Sequence, residues 1–132
     1  MLPQIHERMH MSNAYAFLAE LSKEATREMV GSSKYPIEMT GQGPSAGMRL
    51  VVCSVKELDD YCSFLKAYVD SEVNGAVPLV RYYQGKLASL QTEIDEALEK
   101  EDWNKASHRL WDLQTTGQRL QENLDKLYSA PG

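Results

Sequence analysis

The sequence predicts an α-rich α+β fold: a helix, a short β-hairpin, a second helix, then a long antiparallel helical hairpin of coiled-coil type. Three observations predict it. Apolar residues recur at helical spacing over residues 13–30, 55–74 and 78–128. Residues 34–54 alternate or run β-branched around a glycine-rich loop. Near the C-terminal end, two heptad stripes flank a polar break at Lys100-Glu101-Asp102. The chain of 132 residues is read as a single domain, with 1–30 its N-terminal helix, 34–54 the β-hairpin, 55–74 a helix and 78–128 the helical hairpin.

The first helix is defined by Ala14, Phe17, Leu18, Leu21, Ala25 and Met29. Ser12 or Asn13 suits its start and Gly31 its end. Tyr35, Ile37 and Met39 alternate with polar residues and Pro36, the pattern of a short edge strand. Gly41 to Gly47 must be a loop, expected to be flexible. Arg49-Leu50-Val51-Val52-Cys53 is the best strand, being rich in β-branched residues. Ser54-Val55-Lys56-Glu57 has the form of a capping box, opening a helix with Leu58, Cys62, Leu65, Val69 and Val73 on one stripe. Tyr61, Phe64 and Tyr68 widen that stripe, which implies burial on more than one side. Asn74-Gly75 ends the helix and Pro78 starts the next.

In the last third, Val80, Tyr83, Leu87, Leu90, Ile94 and Ala97 form one stripe. Trp103, Ala106, Leu110, Leu113, Gly117, Leu120, Leu124 and Leu127 form the other. Folding the chain at Glu101 sets Ala97 against Ala106, Ile94 against Leu110, Leu90 against Leu113 and Leu87 against Gly117. Gly85 and Gly117 fall at one level of this hairpin. Glycine inside a helix costs about 1 kcal/mol relative to alanine. The pair therefore reads as close backbone approach, as room for a bulky neighbour such as Tyr82 or Trp111, or as plain tolerance.

Composition narrows the function classes. A hydrophobic fraction of 42% and a charged fraction of 25% describe a folded chain rather than a disordered one. The net charge of -5 is spread along the sequence without a basic stripe, which argues against nucleic-acid binding. No apolar stretch approaches the ~20 residues of a membrane span. The N-terminal residues lack the pattern of a secretory signal. Cys53 and Cys62 have no C-x-x-C spacing, and buried, inert, reduced thiols are expected. A cytoplasmic location is the expectation that follows.

Two motifs carry possible chemistry. His6-Glu7-Arg8-Met9-His10 matches H-E-x-x-H, whose histidines bind zinc from one helical face while the glutamate activates water. Glu24 or Glu28 would supply the third ligand. No strand precedes the motif to align a substrate, so incidental histidines are favoured over a small zinc-dependent hydrolase using His6 and His10. The run Gly41-Gln42-Gly43-Pro44-Ser45-Ala46-Gly47 resembles a phosphate-cradling loop, with Gly41, Gln42, Gly43 and Ser45 as the contacting residues. It precedes a strand instead of a helix, lacks a lysine, and Pro44 removes a donor. A hairpin connection is favoured over a nucleotide or small-ligand site. His108 and Arg109 each stand one turn from Asp112, the spacing of a surface charge pair.

No catalytic constellation survives. The expectation is a non-enzymatic protein–protein interaction module, an adaptor, regulator or inhibitor of a larger macromolecule, without cofactor, nucleic acid or membrane as partner. Leu79, Tyr82, Leu98 and Trp111 lie off the main seam of the hairpin and require cover. Tyr61, Phe64, Tyr68, Tyr82 and Trp111 are the candidate contact residues for a partner protein. A second copy of the chain, forming a two-fold homodimer, is the expected first occupant.

Overall fold

A computed structural model describes residues 11–129. Among them 78% helix is accompanied by one small sheet, the mostly helical architecture the sequence predicts. The chain partitions into two compact units that meet in sequence at Val73 and Asn74.

The first unit holds α1 (Met11–Leu21), α2 (Glu24–Ser32), β1 (Ile37–Thr40), β2 (Arg49–Val52) and α3 (Val55–Asn74). The single helix expected over 13–30 is in fact two. It breaks at Ser22-Lys23, where the Ser22 and Lys23 amides close the end of α1 on the Leu18 and Glu20 carbonyls. The Thr26 hydroxyl also donates to the Glu20 carbonyl, at 3.1 Å, fastening α2 back onto α1. Gly31 lies within α2 rather than beyond its end.

β1 and β2 pair antiparallel, with Ile37 opposite Val52 and Thr40 opposite Arg49. Met39 and Val52 are the buried positions of the sheet. The connecting loop is more tightly built than a flexible linker. Gly43–Ser45 form a single 3-10 turn, and Gly41 donates to the Met48 carbonyl at 2.8 Å. Gly43 and Gly47 take φ of 53° and 95°, the left-handed region that glycine enters without steric penalty.

α3 opens on the Ser54 cap, with Glu57 reaching back one residue beyond the position a capping box uses. The Glu57 amide donates to Ser54 Oγ at 3.2 Å, and the Glu57 carboxylate accepts from the Cys53 amide at 2.8 Å. Its buried face is Leu58, Tyr61, Phe64, Leu65 and Ala67. With Ala14, Phe17 and Leu21 of α1 these form the core of the unit. Phe17 stands edge-on to Tyr61, ring centroids 6.1 Å apart.

The second unit is the hairpin of α4 (Val77–Glu99) and α5 (Trp103–Ser129), two helices packed along their length. The turn between them has a local cause. Glu101 takes φ of 56°, its amide donates to the Leu98 carbonyl and the Asp102 amide to the Ala97 carbonyl. This is a Schellman-type end with glutamate where glycine is usual. Asp102 then accepts from the Lys105 amide at 3.1 Å and caps α5.

On α4 the buried residues are Leu79, Tyr83, Leu90, Ile94 and Ala97. On α5 the seam differs from the expected one. Ala106 is buried opposite Ala97, but Leu110 is 47% exposed, whereas Asp112, Thr116 and Asn123 are buried. The helix is rotated so that Arg109, Thr116 and Asn123 take the row expected for Leu110, Gly117 and Leu124. Arg109, on this row, pairs with Asp112 at 2.9 Å and with Glu93 of α4 at 3.7 Å. Gly85 and Gly117 face open space, so neither close backbone approach nor a bulky neighbour within the chain explains them.

Tyr61 and Tyr83 give the fold a test in alkali. Burial pushes both hydroxyls from 10.0 up to about 12; nearby Arg119 works against burial at Tyr83, and Glu122 with it. A phenol whose folded value is raised releases its proton more readily in the unfolded chain. The stability these two phenols contribute is therefore full below pH 10.0 and is lost as pH rises toward about 12. Burial raises the Cys62 thiol from 9.0 in the same sense, so the urea midpoint should hold from neutral pH to 9.0 and fall further beyond 10.0; a constant midpoint up to about 12 would contradict this burial.

Candidate functional site

The residues singled out by sequence separate into three places. In the β1–β2 loop, Gly41 is buried, Gln42 and Gly43 are exposed, and Ser45 is fully buried with its hydroxyl donating to the Gln42 carbonyl at 2.8 Å. A phosphate cradle needs amides free to point at an anion. Here the Gly41, Ser45, Ala46 and Met48 amides are bound to carbonyls of the same loop and its flanks. The Gln42 amide donates to the Glu20 carboxylate at 3.2 Å. These five amides close the loop and dock it on α1.

On α3, Tyr61 and Phe64 are each 5% exposed and continue an aromatic row from Phe17 to Tyr68. Tyr68 is only half-buried. The row is thus mainly core, with Tyr68 its accessible end. Burial raises the Tyr68 hydroxyl above its usual value, with Glu72 adding to the effect. Cys62, half-buried on the same helix, is also raised, chiefly by burial. Such a thiol is a poor nucleophile at neutral pH. Cys53 is exposed, contrary to the expected burial, and both cysteines are free thiols.

The hairpin presents the largest apolar exposure. Trp103 and Trp111 are each 62% exposed, and Leu98 and Leu110 each 47%. Tyr82, half-buried, packs edge-on against Tyr83 at 5.2 Å. Leu79 is buried. At 100° per residue, Leu98, Trp103 and Leu110 fall on one side of the α4–α5 seam, beside the turn. Trp111 extends this set onto the outer face of α5. Periodicity alone places Trp103 and Leu110 on the seam, whereas the structure exposes both. The signal against that was the polar heptad row Arg109, Thr116 and Asn123, which fits the same period one residue earlier.

The buried polar row carries little chemistry. Arg109 Nε, Thr116 Oγ1 and Asn123 Oδ1 are buried without a hydrogen-bond partner, while the Asn123 amide donates to the Arg119 carbonyl at 2.8 Å. His108 is exposed and Asp112 is committed to Arg109. His6 and His10 lie outside the described residues. Among the described residues no cluster of His, Cys, Asp and Glu could hold a metal ion, and no helix is long and apolar enough to cross a membrane.

No protein-family model matches the chain, and no curated protein and no solved structure matches it.

Proposed function

We propose that the protein is a non-enzymatic interaction module, an adaptor, regulator or inhibitor that acts by holding another protein on its helical hairpin. A cytoplasmic setting, where thiols stay reduced, belongs to the same reading. The observation that carries it is the exposure of Trp103, Trp111, Leu98 and Leu110 beside one turn of a rigid helix pair. Single exposed apolar residues need no explanation, but several in one patch mark contact sites. Tryptophan is also the residue type most enriched among those that dominate binding energy.

A photo-crosslinking residue placed at Trp103 or Trp111, in cells of the native host, tests this. A discrete protein adduct is expected from these positions and not from exposed Glu38 of β1. Replacing both tryptophans by alanine should then weaken that complex at least tenfold, about 1.4 kcal/mol. Absence of any adduct from both positions would overturn the reading.

A further inference from the structure

We propose that the hairpin takes its partner as a helix: an amphipathic helix with a basic rim, laid along the groove between α4 and α5 on the side of Leu98 and Leu110. The proposal rests on the interaction reading above and names the chemistry of the partner.

The two flanks of the hairpin differ in kind. At 100° per residue, the flank that holds Leu98 also takes Val80 and Leu87 from α4, with Leu110, Gly117 and Leu124 from α5. The opposite flank takes Lys86 and Glu93 from α4, with Asp112 and Arg119 from α5. A helix pair that meets only water keeps both flanks polar. Here Leu98 and Leu110 are each 47% exposed, and Val80, Leu87 and Leu124 are half-buried. Two helices cover only the seam between them. A third helix lying in the groove covers these side chains as well.

The walls of the groove favour a helix over an extended segment. They are helices, whose backbone groups are bonded within each helix. A strand binds through main-chain hydrogen bonds and would find no partners there. A helix brings its own backbone bonds and needs only an apolar stripe at i, i+3, i+4 and i+7. From Leu98 to Val80 the groove runs about 27 Å, the length of about 18 helical residues. Gly117 stands near the level of Leu87, and a Cβ built there would meet nothing within 4 Å. It leaves a notch for one bulky side chain of the incoming helix.

Charge decides the rim of that helix. No lysine or arginine stands on this flank between Val80 and Leu98, or between Leu110 and Leu124. The charges at its edges are Asp95 on α4 and Asp125 on α5, one toward each end. Each accepts from a glutamine of its own helix, Gln91 at 3.1 Å and Gln121 at 2.9 Å. In a chain of net charge -5, lysines or arginines beside the partner's apolar stripe meet these aspartates, whereas an acidic rim is repelled.

Fluorescence anisotropy with the full chain and two labelled peptides of about 18 residues tests the proposal. The first peptide carries leucines at the helical spacing, a central phenylalanine, and lysines beside the stripe; in the second, glutamates replace the lysines. The lysine peptide is expected to bind with a Kd of about 10 μM, and the glutamate peptide about tenfold more weakly or worse. Leu110→Gln and Gly117→Gln, both at open positions, should each weaken the lysine peptide about tenfold with helical circular dichroism undiminished. Glu96→Gln, on the opposite flank, should leave binding unchanged. Binding of neither peptide at about 500 μM overturns the proposal, as does equal binding of both, or binding that neither groove variant weakens. A dimer in sedimentation equilibrium that Gly117→Gln dissociates also overturns it, since the occupant is then a second copy. A host protein cross-linked from position 103 through an extended or acidic segment would defeat this inference while leaving the interaction reading intact.

Discussion

Replacing Phe17 by alanine is expected to cost about 3–5 kcal/mol, the range for truncating a fully buried ring. Phe17 is 1% exposed and sits where α1 meets the aromatic row of α3. The loss has two parts, the transfer of the ring to water and the cavity left behind it. The cavity part should be near its maximum. The core residues Ala14, Leu21, Leu58 and Leu65 of the same unit are each 2% exposed or less and already packed. Tyr61 would also lose its edge-to-face partner, 6.1 Å away at 89°. Small domains are stable by about 5–15 kcal/mol, so this one change removes a large share of the total. Urea unfolding followed by circular dichroism measures it. Phe17→Leu should recover most of the loss, since it restores much of the volume. A second readout is independent of stability: with the ring gone, water reaches Tyr61 and its hydroxyl should titrate below about 12. A loss under about 1 kcal/mol, within the ordinary scatter of surface changes, would place Phe17 outside the core.

The features that sequence and structure share are those with a local cause. Pro78 in the first turn of α4, Gly75 at φ of 85° after α3, and the Ser54–Glu57 box each act over a few residues, and each is where the pattern put it. The antiparallel hairpin of α4 and α5 was legible because Ala97 and Ala106 frame a short polar turn. The rotation of α5 was not legible. Ala106, Leu113 and Leu120 belong to either choice of seam, and the second row can lie three residues to one side or four to the other. Hydrophobicity favours Leu110 and Leu124. The structure buries Thr116 and Asn123 instead, on the row that also carries Arg109, which lies 3.7 Å from Glu93 of α4. A period measured on one helix carries no information about a charge on the facing helix. The break between α1 and α2 was hidden for a similar reason. Leu21-Ser22-Lys23-Glu24 contains neither glycine nor proline, and the break is fixed by hydrogen bonds to the Leu18 and Glu20 carbonyls.

Gly41→Ala is expected to be the most damaging change in the β1–β2 loop, costing about 3 kcal/mol, the scale of overpacking a buried position. Three glycines occupy this loop, and backbone torsion alone would rank them in the opposite order. Gly43 and Gly47 hold positive φ, where a side chain costs about 1–2 kcal/mol, and a Cβ at either meets nothing within 4 Å. Gly41 has no positive φ, yet a Cβ there would lie 2.0 Å from the Ser45 carbonyl oxygen and 2.6 Å from its hydroxyl. Something must move, and the partners are poorly placed to do so. Ser45 is fully buried. Its carbonyl accepts from Met48, its amide donates to Gln42, and Pro44 fixes the backbone just before it. On the other side, Gly41 is held by its own bond to the Met48 carbonyl, the last rung before the strands begin. Relief of the clash would break part of this set, and with it the bond from Gln42 to Glu20 that docks the loop on α1. The measurement is the unfolding free energy of the three single alanine variants under one set of conditions. If Gly43→Ala or Gly47→Ala costs more than Gly41→Ala, backbone torsion rather than contact with Ser45 shapes the loop, and the tight 3-10 turn is not what holds the strands in register.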